Sequence, residues 1–153
     1  MSVDLKDSVD ILQIVANLPT FLRKPIITKK LDEFYLLDEA SKIETISMIL
    51  TSSSSTEPNK LYPLIKTWLE ILAELESKKV TEIFRVYCEV LLTNPISFEK
   101  LNTRPLVDAY LKLEDKNKKK LSDCLKEVIL LFPNRTEISK AIPQLILEQL
   151  KIV

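Results

Sequence analysis

No glycine occurs anywhere in this chain of 153 residues. Glycine takes positive φ without a steric penalty, so its absence removes the usual material of tight hairpins, left-handed helix caps and phosphate-cradling loops. The P-loop and the dinucleotide-binding turn both need such glycines and are excluded. A chain of helices joined by polar or proline-bearing connectors fits best, and eight prolines and the serine run 52–55 supply that punctuation.

Histidine is also absent. Ser-His-Asp and Cys-His arrangements, H-E-x-x-H zinc sites and Glu-x-x-His di-iron sites go with it, so no catalysis, metal or cofactor is expected. Hydrophobic residues at 46% and charged residues at 29% match a folded globular chain. No apolar run reaches membrane-spanning length, and Asp4, Lys6, Asp7 and Asp10 interrupt any secretory apolar segment. The expectation is a soluble cytoplasmic protein without a membrane partner. Cys88 and Cys124 lack metal-type spacing and fall on apolar stripes, which predicts buried free thiols.

Apolar residues recur at three and four positions in eight stretches, and no stretch alternates with period two long enough for a strand. The spacing predicts helices over about 5–17, 28–37, 39–51, 61–75, 80–92, 103–113, 115–132 and 136–150. The fourth is the clearest, with Leu61, Leu64, Ile65, Trp68, Leu69, Leu72 and Leu75 on one side and Lys66, Glu70 and Glu74 on the other. Pro63 is expected in its first turn, Thr103 and Thr136 as N-caps, and 52–55 as a loop. Pro143 is expected to kink the last helix or delay its start.

The punctuation recurs in order. Pro19 and Phe21 match Pro95 and Phe98. Thr28, Leu31, Tyr35 and Leu36 match Thr103, Leu106, Tyr110 and Leu111 at an offset of 75, and Thr56, Glu57, Lys60 and Pro63 match Thr136, Glu137, Lys140 and Pro143 at an offset of 80. We read one all-α domain over 1–153 with internal repeats of about 1–77 and 78–153. About eight helices form four hairpins of about 38 residues, with the matched Leu and Tyr positions in the core. The hairpin length and the L-x-x-x-Y-L segments resemble HEAT-type α-helical repeats as a class, which implies a stack. An eight-helix bundle built from the tandem duplication uses the same stripes.

Charge is split between the halves. Residues 1–76 hold 8 basic and 12 acidic side chains, and residues 77–153 hold 14 and 10. Lysines peak near 112–126, where Lys112, Lys116, Lys119, Lys120 and Lys126 form a candidate basic surface for nucleic acid. Asp123 and Glu127 interleave with them. Leu147, Leu150, Ile152 and Val153 make the C-terminal stretch apolar on more than one side, a candidate partner or homodimer contact unless that helix is sandwiched within the fold. Tyr62, beside Pro63, is the aromatic side chain to watch. Glu70, Tyr62 and Lys140 would form an active site only if the fold brought them together. The leading functional expectation is a non-catalytic protein–protein interaction module, an adaptor or scaffold. The alternative is a nucleic-acid-binding accessory protein using the lysine-rich helix.

Overall fold

The computed structural model of the chain describes residues 14–93, 102–133, 135–142 and 147–148. A helical turn at 14–16 leads into seven helices, with no strand among the described residues. They are α1 (Thr20–Tyr35), α2 (Glu39–Ser54), α3 (Pro58–Glu74), α4 (Ser77–Thr93), α5 (Arg104–Leu111), α6 (Asp115–Leu131) and α7 (Arg135–Ala141). Most of the first expected helix, residues 94–101 with Pro95 and Phe98, and Pro143, Leu145 and Ile146 lie outside the described residues.

Helices pack on their second neighbours. α1 lies against α3 and α3 against α5, while α2 lies against α4 and α4 against α6, giving two facing layers of alternate helices. Contacts between α3 and α6 join the layers, and α7 packs on α4 and α6. The even-numbered helices begin at Glu39, Ser77 and Asp115, 38 residues apart each time. This is the packing of stacked hairpins. It runs across the boundary at 77/78 through α2–α4 and α3–α5, so the two sequence halves interlock rather than form separate bundles.

Burial follows the apolar stripes. Leu72, Val80, Ile83, Val86, Val90, Ile129 and Ile138 are closed off from solvent within one cluster that extends from Leu31 to Leu147. Trp68, Tyr87 and Leu125 pack at its margin. Removing such side chains from water, at about 25 cal/mol per Å² of apolar surface, is the main force holding hairpin on hairpin. A second, smaller cluster joins Val15 and Ala16 to Leu61 and Leu64.

The missing glycines leave a visible mark on the helix ends. The C-caps Leu36, Ser55, Leu75, Lys112 and Phe132 all have negative φ, between −78° and −103°. None uses the left-handed cap, so the terminal carbonyls need other donors. At the end of α2 the hydroxyls of Ser53, Ser54 and Ser55 donate to the carbonyls of Ile49, Thr51 and Ser52. At the 14–18 turn and at the end of α3 cations from other segments donate as well. Arg23 donates to the carbonyls of Val15 and Leu18, and Lys120 to those of Ala73 and Leu75.

Several boundary expectations are corrected. The helix expected from Thr28 starts at Thr20, with Pro25 inside it. Proline removes the bond to the carbonyl four residues back, but Pro25 and Phe21 are both exposed, so water can serve that carbonyl. Pro63 is the sixth residue of α3, not a first-turn residue, because Pro58 takes the N-terminal position. Residues 52–54 belong to α2 instead of a loop, held by the returning hydroxyls. Thr103 precedes α5 without capping it, and Asn102 accepts from the Arg104 amide instead. Thr136 lies inside α7. Leu36 is 87% exposed and Leu111 is also exposed, since both sit at the turns that end their helices; Leu31 and Tyr110 are buried as expected.

Candidate functional site

The lysine-rich stretch forms the outer face of α6. Leu121, Cys124 and Val128 turn into the core, so Lys116 and Lys119 turn out and Lys126 is half-buried at the margin. Lys116, Lys119, Lys120, Asp123 and Glu127 line an open depression with Ser77 and Cys124. The five lysines of the expected basic surface do not act alike. Lys119 pairs with Asp123 at 3.1 Å. The Lys120 ammonium is committed to the end of α3, 2.9 Å from the Ala73 carbonyl, and so is a helix cap in place of a free phosphate ligand. Lys112 lies 5.5 Å from the centre of the Tyr62 ring, which covers the aromatic face that the sequence singled out.

The C-terminal candidate divides. Leu147 is 4% exposed and belongs to the main core, as the sandwiched arrangement requires, so it offers nothing to a partner. Leu150, Ile152 and Val153 lie outside the described residues.

Groups with chemical potential are spread apart or quenched. Cys88 and Cys124 are buried free thiols, as expected. Burial pushes the Cys88 thiol up to about 12, and burial also raises that of Cys124, whose thiol donates to the Ser77 carbonyl at 3.9 Å. Glu74 pairs with Lys24 at 2.8 Å, Lys140 with Glu137 at 3.4 Å, and the Tyr62 ring lies under Lys112, so Tyr62 and Lys140 have separate neighbours. No group of acidic or sulfur side chains suited to a metal ion occurs among the described residues. Arg85 forms a cluster with Glu39 and Glu82, and its hydrogen bonds hold both carboxyls below their ordinary values. With Lys42 on Glu82 at 3.4 Å, this cluster ties α2 to α4.

The arrangement least expected from the sequence lies on α1, whose first half is inverted. Arg23 is 6% exposed, while Phe21 is 74% exposed and Leu22, Pro25 and Ile26 also face water. The reason is register: Ile27, Leu31 and Phe34 must meet the core, and Arg23 falls on their stripe at helical spacing. Its guanidinium reaches the carbonyls of Val15 at 3.3 Å, Leu18 at 2.5 Å and Pro63 at 3.3 Å, and the Thr67 hydroxyl at 3.4 Å. Phe21 and Pro25 line an open groove with Lys24, Lys29, Asp32 and Glu74. A helix begun at Thr28 hides this pattern. The signal lay in carrying the Leu31–Phe34 register back through Pro25.

No helix among the described residues is long and apolar enough to cross a membrane. No known protein family, curated protein or solved structure matches this chain.

Proposed function

We propose that the chain is a non-catalytic helical interaction module of the cytoplasm, an adaptor or scaffold that docks a protein partner on the outward face of α1. The inversion of α1 carries this reading. Phe21, Leu22, Pro25 and Ile26 stand in two successive turns on the water side, where contiguous apolar surface is costly and marks contact sites. Phe21 and Pro25 line a shallow groove rimmed by Lys24, Lys29, Asp32 and Glu74, and an exposed aromatic anchor with a polar rim has the make-up of a protein contact. Stacked hairpins supply a rigid support for such a face.

The nucleic-acid reading rests on the depression along α6. Its lysines alternate with Asp123 and Glu127, and the engagement of Lys119 and Lys120 lowers the charge left for phosphate. One experiment separates the two: capture from native lysate with the unaltered chain, with Phe21→Glu, and with Lys116→Glu and Lys119→Glu combined. Loss of a retained protein with Phe21→Glu alone is expected. Retention of nucleic acid only, abolished by the lysine reversal, would overturn the proposal.

A further inference from the structure

The water side of α1 carries a pattern along the whole helix. Phe21, Pro25, Lys29, Asp32 and the C-cap Leu36 follow one another at spacings of four, four, three and four, and all five are exposed. Leu36 keeps helical φ and ψ, so it continues the row. The row lies opposite Arg23, Ile27, Leu31 and Phe34, which turn into the fold. Spacing of this kind sets one face of a helix against another helix. Its ends are apolar and its middle is charged. Lys29 and Asp32 border the groove with Phe21 and Pro25, and neither has an ion-pair partner among the described residues, whereas Lys24 is paired with Glu74 and Lys30 with Glu33.

A cation and an anion one turn apart, with apolar residues on both sides, form a surface that is its own complement. With a second α1 laid antiparallel about a two-fold axis between Lys29 and Asp32, each Lys29 meets the Asp32 of the other copy. The same operation sets Pro25 against Leu36, and Phe21 against the exposed Ala40 just beyond it. A parallel arrangement would instead set Lys29 on Lys29. We propose that α1 docks on the α1 of a second copy of this chain, antiparallel, through reciprocal Lys29–Asp32 pairs with apolar contacts at either end. The proposal rests on the reading of the outward face of α1 as a protein contact and names its occupant. A helix of 16 residues, roughly 24 Å long, makes a small contact, so the dimer is a reversible one.

Sedimentation of the full chain over a range of concentrations should show a monomer–dimer equilibrium. Lys29→Asp alone, or Asp32→Lys alone, puts like charges opposite each other on both sides of the axis and should weaken the dimer at least about tenfold. Mixed in equal amounts, the two variants should pair with each other at least as tightly as the unaltered chain pairs with itself, because every charge then meets its opposite. Both positions are exposed, so the substitutions leave the fold intact. Leu36→Glu should weaken the dimer as well. A chain that stays monomeric up to about 1 mM, single reversals without effect, or a mixture that fails to associate overturns the proposal. The capture experiment separates this from the wider reading. A monomeric chain that loses a retained lysate protein with Phe21→Glu refutes the dimer and keeps the interaction module. A dimer with the expected charge dependence, and no lysate protein other than this chain lost with Phe21→Glu, supports the dimer and refutes the adaptor.

Discussion

Replacing Arg23 by Met keeps most of the apolar stem and deletes four donated contacts. Pro63 and Thr67 are little affected, because the Thr67 hydroxyl already donates to the Pro63 carbonyl at 3.0 Å. The Val15 carbonyl keeps the Leu18 amide at 3.2 Å, whereas the part-buried Leu18 carbonyl loses its cationic donor. An acceptor left without a partner costs about 1–3 kcal/mol. One such group, offset by relief of the desolvated charge, suggests a net loss of about 1–2 kcal/mol. Because Val15 and Ala16 belong to a cluster separate from the main core, the loss should be local. Native-state hydrogen exchange should show protection at Asn17 and Leu18 falling by about tenfold, since about 1.4 kcal/mol is a factor of ten. Amides near Leu72 and Val86, in the main core, should change by less than about twofold. Uniform loss of protection across α3 and α4, or a change below about 0.5 kcal/mol at Asn17 and Leu18, would refute the view of Arg23 as a local cap on the 14–18 turn.

Ser52 is 1% exposed and its hydroxyl has no partner among the described residues, while the residues 38 positions on in each succeeding even helix, Val90 and Val128, are buried and apolar. Ser52→Ala should therefore raise stability by about 1 kcal/mol in urea unfolding, and a loss would show that the hydroxyl is bonded. Lys120→Met should cost about 1–2 kcal/mol by uncapping α3, whereas Lys116→Gln should stay within about 0.5 kcal/mol; equal effects would sink the distinction drawn between them. Glu39 and Glu82 have depressed folded-state values, so their contribution is complete above the ordinary 4.5 and is lost as pH falls through the lowered values. Acid should accordingly weaken the α2–α4 contact, and Arg85→Met should remove that part of the acid dependence of unfolding. Cys88, raised to about 12 and buried, should resist alkylation at pH 8 in the folded chain and react at once in denaturant.

The apolar stripes were legible because a helix has one buried face and its period is set by backbone geometry alone. Leu61, Leu64 and Leu72 in α3 and Leu121, Cys124 and Val128 in α6 are buried as their spacing predicts. Free buried thiols followed from the same pattern. Proline and threonine proved poor guides to helix starts, because their effect depends on whether the affected backbone group faces water: Pro25 sits inside α1 on its wet side, and Thr103 caps nothing.

Residue order by itself determined that this chain must be helical, roughly where the helices run, and that helix ends could not rely on glycine. Only the tertiary structure decided which groups serve those ends, since Lys120 and Arg23 reach carbonyls that lie on other segments. It likewise decided that a charge goes inward and Phe21 outward on α1, because the demand of Leu31 and Phe34 for the core sets the rotation of the whole helix. A helical wheel ranks faces by their own composition. Which face wins is settled by the neighbours that the wheel does not contain.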